Sequence, residues 1–246
     1  MRRFYSNSRN IVRDKIYISD KEQIHHIVDV LRLKAADAAV IFDEKGNEYQ
    51  AEIEKLSLQN ISLRIKEVRR RVGLEKMLIA VACAIPKKSK IDDIIDKLVQ
   101  LGVDRIIPLI TERVIIRMDK EKKSRRQSRW EKIAIGASKQ CGRGVVPKID
   151  PLQEYPQILQ SVPEDTLRLI LWEEGGKRLK EVLKKLERKT AVFFLVGPEG
   201  GLTKEEVEEA KRADFTPITL GERVLRSETA GLCLLSVLQY EWGDIG

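Results

Sequence analysis

Cysteine is scarce: Cys83, Cys141 and Cys233 are the only three in 246 residues, and they lie far apart. That spacing excludes a disulfide framework and a zinc site built on paired cysteines. Histidine is scarcer still, with His25 and His26 alone. Neighbours on a helix diverge by about 100°, so these two do not readily share one ion, and no metal is expected. Aromatic residues make up 5%. No apolar run approaches the roughly 20 residues that cross a bilayer. The opening residues, Met1-Arg-Arg-Phe4, lack the apolar core of a targeting segment. No membrane partner is expected, and the expected location is cytoplasmic. No Gly-Lys-Ser/Thr follows Gly197–Gly201, and no Gly-x-Gly-x-x-Gly follows the first strand of a βαβ unit. Walker-type and dinucleotide-binding folds are thereby disfavoured.

What is present is a globular composition, 42% apolar and 34% charged, with a formal charge of +8. The length allows two domains. The charge is concentrated: Arg113 to Lys132 holds nine Lys/Arg against three Asp/Glu, a net of +6. A solvated helix face and a polyanion-facing surface both fit this run. Arg117, Arg125, Arg126 and Arg129 suit phosphate contacts. Arg2, Arg3 and Arg9 around Phe4 and Tyr5 suit unpaired bases, or alternatively flank an N-terminal strand.

Two rhythms divide the chain. Up to residue 70, short alternating runs (Lys15–Ile18, Ala38–Phe42, Glu48–Leu56, Asn60–Val68) surround one helix, Asp20 to Leu33, capped by Ser19 or Asp20. These predict a small β-barrel domain. Arg69–Glu75 reads as a linker. From 71 to 246, strands at Met77–Ala84, Arg105–Ile110, Leu167–Trp172, Ala191–Val196 and Pro217–Leu220 alternate with helices at Ile91–Leu101, Lys122–Gln140, Lys177–Leu186 and around Ala230–Tyr240. Thr203 and Glu206 form a capping-box pattern that starts a further helix. This alternation predicts an α/β domain on a mostly parallel sheet.

The chemistry is expected where the buried strand Ala191–Val196 ends in Gly197-Pro-Glu-Gly-Gly201, together with Leu220-Gly-Glu-Arg-Val-Leu-Arg-Ser-Glu-Thr-Ala230. Glycine loops at strand ends are a usual ligand site in α/β folds, although a connecting turn needs glycine in any case. Gly142 and Gly144 place Arg143 on a loop, where it can clamp an anion or simply cap the preceding helix. Cys141 reads as a small packed thiol, with no histidine beyond residue 26 to activate it.

These stretches, with Met1–Phe4, His25-His26, Val30-Leu-Arg32, Leu101-Gly-Val103 and Gln140-Cys-Gly-Arg143, resemble the RsmE family of bacterial ribosomal RNA methyltransferases in the SPOUT (trefoil-knot) superfamily. The chain departs from the family pattern at Ala36, Glu44, Lys88, Leu202 and Ser227. The resemblance covers nearly the whole chain. It implies a PUA-like RNA-binding barrel over 1–70 and a SPOUT α/β-knot domain over 71–246. It also implies a homodimer that uses S-adenosylmethionine to methylate N3 of a uridine in 16S rRNA of the small ribosomal subunit. Cofactor contacts are expected from Leu171, Trp172, Leu195, Gly197, Pro198, Gly200, Leu220, Gly221, Val224, Leu225 and Thr229. Arg143 is the expected cation for a developing uracil anion, with Arg226 and Glu228 as further candidates. The competing readings are a non-catalytic RNA-binding or assembly protein and a ribose 2′-O-methyltransferase of the same superfamily.

Overall fold

A computed structural model of the chain describes residues 2–70, 77–86, 91–114 and 119–245. It divides into two compact units, Met1–Gly73 with Ser138–Val146, and Leu74–Ala137 with Pro147–Gly246.

The first unit contains β1 (Arg3–Tyr5), β2 (Ile11–Val12), β3 (Lys15–Ile18), α1 (Lys21–His25), β4 (Ala38–Phe42), β5 (Asn47–Leu56) and β6 (Ile61–Arg70). Period-two alternation gives its sheet one apolar face. Ile16, Ile18, Ile41, Ile53, Ile61 and Leu63 bury there under Ile24 and Ile27 of the helical segment. The other face carries ion pairs, Arg3–Glu48 at 2.9 Å, Lys15–Glu54 at 2.8 Å and Lys66–Glu52 at 3.2 Å. The strand path β1-β4-β5-β6-β3-β2 is open at both ends, and two register shifts between β5 and β6 curl it. The expected barrel is therefore a half-barrel. The expected helix 20–33 is shorter: Asp20 caps α1 by accepting from the Gln23 amide at 2.9 Å. The chain then widens into a π turn over His26–Val30. Arg32 and Ala36, at φ +51° and +71°, turn it back before β4.

The second unit holds β7 (Leu78–Ala84), α2 (Ile91–Gln100), β8 (Arg105–Ile110), α3 (Lys120–Gln140), β9 (Lys148–Ile149), β10 (Gln153–Glu154), α4 (Tyr155–Gln160), β11 (Leu167–Leu171), β12 (Lys177–Arg178), α5 (Leu179–Leu183), β13 (Ala191–Val196), α6 (Lys204–Arg212), β14 (Thr216–Thr219) and α7 (Ser227–Trp242); the end of α3 falls in the first. Every strand pair in its sheet is parallel, in the order β10-β8-β7-β13-β11-β14-β12 with β9 beside β8. Central β7 and β13 are covered on both faces, which explains their uninterrupted apolar runs. On one face, Phe193 and Leu195 pack with Ile158 of α4, Val207 of α6 and Phe215. Elsewhere α2 meets α7, where the Gln239 amide donates to the Gly102 carbonyl at 3.3 Å.

One crossing organises this sheet. β14 lies between β11 and β12, which are consecutive in sequence. The Trp172 amide donates to the Ile218 carbonyl at 3.0 Å, and Lys177 pairs with Ile218 from the other side. The connection between β11 and β12 therefore passes directly over the Ile218 backbone. A Cβ on Gly176 would sit 2.4 Å from the Ile218 carbonyl carbon. The expected helix 177–186 gives up Lys177 and Arg178 to this pairing, so α5 begins at Leu179.

The segment Ser138–Val146 joins the first unit through specific contacts. The Arg3 guanidinium donates to the Arg143 carbonyl at 3.0 Å and Lys139 donates to Gln23 at 3.2 Å. Burial lowers the Lys139 pKa below its usual value. Residues 71–75 of the expected linker lie outside the described residues.

Candidate active site

In an all-parallel sheet the C-terminal strand ends share one edge, and loops there converge on ligands. At this edge β11, β13 and β14 release three loops that enclose a cleft of about 230 Å³. Leu171, Val196, Ile218 and Leu225 supply apolar walls. Gly197, Pro198, Glu199, Gly201 and Leu202 form one side; Thr219, Leu220, Arg223, Val224 and Arg226 form another, with Ser227 and Ala230 where α7 starts. Trp172 and Glu173 complete the rim. Trp172 is held from outside: the Lys211 ammonium lies 5.5 Å from its ring centroid.

Residues 197–203 and 220–226 are outside helix and strand. Their peptide groups are not committed to regular ladders and can address a ligand's polar edges. Apolar walls with main-chain donors and acceptors suit a flat heterocycle carrying a polar sugar. Glu173, Glu199, Arg223 and Arg226 add both signs of charge, which suits a zwitterionic tail.

The loop Gly197–Gly201 owes its shape to contacts beyond the cleft. Gly201 sits at φ +70°, and its amide donates to the Pro198 carbonyl at 2.9 Å. The capping box is formed on both sides: Glu206 accepts from the Thr203 amide at 2.9 Å, and Thr203 Oγ1 accepts from the Glu206 amide at 3.2 Å. The other Glu206 oxygen accepts from the Glu112 amide at 2.9 Å, and the Glu206 carbonyl accepts from the Tyr155 hydroxyl at 2.6 Å. Glu206→Ala removes a buried acceptor of two amides. It is expected to cost about 2–3 kcal/mol, seen as a thermal midpoint lowered by roughly 4–10 °C. An unchanged midpoint would remove Glu206 from this role.

Of the residues expected to hold a cofactor, Leu171, Trp172, Gly197, Pro198, Leu220, Val224 and Leu225 line the cleft. Leu195 lies in the core cluster, 1% exposed. Gly200 is exposed on the loop's outer side beside Arg113, and Gly221 borders a separate groove. Thr229 is exposed on the first turn of α7. Arg226 lines the cleft. Glu228 and Glu199 lie near Cys83, whose thiol is pushed up to about 12 by burial first and then by these carboxylates. Arg143 belongs to the first unit.

The proposed RNA cations are distributed unevenly. Arg3 is engaged inside the first unit, paired with Glu48 and 4.6 Å over the Phe42 ring. Arg2 lies 3.5 Å from Asp37, and Arg9 is exposed on the short helical turn Ser8–Asn10. α3 buries Trp130, Ala134 and Ala137 and exposes Arg125, Arg126 and Arg129. Arg125 pairs with Glu121 at 2.5 Å and Arg129 with Asp92 at 2.6 Å. Arg117 and Lys88 lie outside the described residues. Among the described residues no group of three or more His, Cys, Asp or Glu could hold a metal, and no helix is long and apolar enough to cross a membrane. The sequence reading missed Glu173, Ile218 and Thr219 at the cleft. Only the position of Glu173, directly after a predicted strand end, gave any signal for them.

Residues 74–239 match the family described as RNA methyltransferase domain, and 18–66 that described as RNA methyltransferase PUA domain. The chain is 30% identical over 225 residues to a Bacillus subtilis protein named ribosomal RNA small subunit methyltransferase E, covering 89% of this chain and 88% of that one. A Rickettsia conorii protein of the same name is 30% identical over 238 residues, covering 95% and 93%. Among solved structures, the Neisseria gonorrhoeae protein of that name bound to S-adenosyl methionine superposes with a TM-score of 0.87 at 30% identity. It covers 100% of both chains. A Legionella pneumophila structure with bound cofactor SAM gives 0.88 at 32% identity, covering 99% and 98%.

Proposed function

From the premise that this chain belongs to the RsmE family of SPOUT RNA methyltransferases, we propose that it methylates N3 of a uridine in 16S ribosomal RNA. The enzyme is an S-adenosylmethionine-dependent rRNA methyltransferase. The observation that carries this reading is the cleft built by the three loops, with apolar walls beside irregular main chain. S-adenosylmethionine, when bound, supplies an electrophilic methyl group. Leu171, Val196, Ile218 and Leu225 would hold its adenine by apolar contact, and the peptide groups of Gly197–Leu202 and Leu220–Leu225 would hold its polar edges.

Uracil N3 lies on the Watson–Crick edge and bears a proton at neutral pH. The base must be unpaired or flipped out, and N3 must lose its proton before it becomes a nucleophile. A fixed cation that stabilises the developing anion lowers that barrier. Arg143 is assigned this role, and Arg226, at the cleft wall, orients the acceptor. Glu228 has a positioning role on the first turn of α7.

RNA would be held by the exposed cations of α3 together with the first unit, where Arg2 and Arg9 are the candidate contacts. Replacing Arg125, Arg126 and Arg129 together with glutamine is expected to make the slope of log affinity against log salt shallower by about 2, one counterion-release increment of roughly 0.7 per contact. An unchanged slope would make the helix a solvated face. The chain is proposed to act as a homodimer in the cytoplasm. Support comes from a groove of about 520 Å³ with Leu179, Leu183, Val237 and Tyr240 in its walls, Tyr240 being largely exposed.

The test is methyl transfer from labelled S-adenosylmethionine to small-subunit RNA followed by nucleoside analysis. It separates this reading from a ribose 2′-O-methyltransferase and from a non-catalytic binder.

A further inference from the structure

Arg113 belongs by sequence to the basic run, yet its side chain turns onto the loop that walls the cleft. Its Nη1 donates to the Gly200 carbonyl at 2.5 Å. Its aliphatic stem lies along Gly200: a Cβ built there would meet the Arg113 Cδ at 3.6 Å. At Gly201 the Arg113 guanidinium and the Glu173 carboxylate both lie close, 3.7 and 3.1 Å from where a Cβ would stand.

The residue before it is tied to the same place. The Glu112 amide donates to Glu206, and Thr203 Oγ1 lies 3.4 Å from the Glu112 carboxylate. Two stretches distant in sequence, 112–113 and 200–206, therefore share one hydrogen-bonded cluster beside the buried Glu206, 6% exposed. Arg113 is its outer clasp. Glu206 fixes the start of α6, whereas Arg113 reaches back to the Gly200-Gly201 turn itself.

We propose that Arg113 is a positioning residue for the cofactor cleft. It holds the Gly200 carbonyl so that Gly197, Pro198, Glu199 and Gly201 keep the wall in its binding shape. It does not line the cleft and acts through the loop. The inference rests on the reading of that cleft as the S-adenosylmethionine site.

The physical argument is one of preorganisation. A glycine-rich turn outside helix and strand samples many conformations, and a ligand that selects one of them binds more weakly by the fraction populated. A charged donor on an exposed carbonyl raises that fraction at modest cost to overall stability, because a surface contact contributes little to folding.

The experiment compares wild type, Arg113→Met and Arg113→Lys by calorimetric titration with S-adenosylmethionine, thermal melting and steady-state methyl transfer. Methionine keeps the stem and removes the donors; lysine keeps one charged donor. For R113M the Kd and the cofactor KM are expected to rise about tenfold, the loss of one charge-assisted hydrogen bond. The thermal midpoint should move by no more than about 2 °C. At saturating cofactor, kcat should fall by less than about threefold. R113K should recover part of the affinity. Wild-type affinity in R113M would overturn the proposal alone, as would weakened binding accompanied by a large fall in midpoint, which marks a structural role. A wild-type protein that binds no S-adenosylmethionine would overturn the cofactor reading and this proposal with it.

Discussion

Gly176→Ala is expected to destabilise the second unit by about 3–5 kcal/mol, the range of severe overpacking. The thermal midpoint should fall by roughly 10 °C. A Cβ at this position would stand 2.4 Å from the Ile218 carbonyl carbon and 2.8 Å from its Cα and oxygen. All three are main-chain atoms of a strand hydrogen-bonded on both sides, to Trp172 and to the register of β12. No flexible side chain can move aside. Relief requires lifting the β11–β12 connection off β14, which would also disturb Trp172 and Glu173 at the cleft rim, so cofactor affinity should fall in parallel. Gly136→Ala is the matched control. Nothing lies within 4 Å of a Cβ there, and the position is inside α3. Alanine should be neutral or stabilising by about 0.5–1 kcal/mol. Equal midpoints for the two variants would mean that the crossing is not tight.

Arg143→Ala is expected to slow single-turnover methyl transfer by about 10²–10³ while leaving the Kd for S-adenosylmethionine unchanged, the size of effect seen when one preorganised charge-stabilising donor is removed. The loop should survive the truncation because its main chain is held independently of the side chain. The Arg143 amide donates to the Ser138 carbonyl at 3.0 Å, the Arg143 carbonyl accepts from Arg3, and Gly142 makes the turn at φ +74°. Rapid-quench measurement on small-subunit RNA decides the point. An unchanged rate would end the anion-clamp role. Partial recovery with lysine would separate charge from shape, since lysine supplies a cation without the planar fork.

What could be read in advance was local. The Thr203–Glu206 box is contained in four residues, and both of its hydrogen bonds form. β8 and β13 occupy the predicted positions because an apolar run closed by turn residues needs no partner to be recognised. The cleft loops were legible for the same reason: glycine and proline mark them within the sequence. What was missed depends on distant partners. Lys177 and Arg178 are a strand only because β14 lies beside them. The two-residue β9 and β10 exist through pairing with β8. Ser138–Val146 joins the first unit through Arg3 and Gln23, more than a hundred residues earlier. Arg113 shows the limit of charge counting. It added to a basic run in sequence, yet in space it clasps the Gly200 carbonyl in a loop that walls the cleft. Leu195 shows the converse, an apolar residue next to a loop that packs into the core rather than lining the cleft.

The cleft is proposed to direct a methyl group to a uracil nitrogen of ribosomal RNA. Incubating the purified protein with S-adenosylmethionine and small ribosomal subunits that lack the modification, then digesting the RNA to nucleosides for mass spectrometry, tests it most directly. One 3-methyluridine per small-subunit RNA is expected, formed only when the protein and cofactor are both present. A 2′-O-methyl nucleoside in its place, or bound RNA with no methylated product, would contradict it.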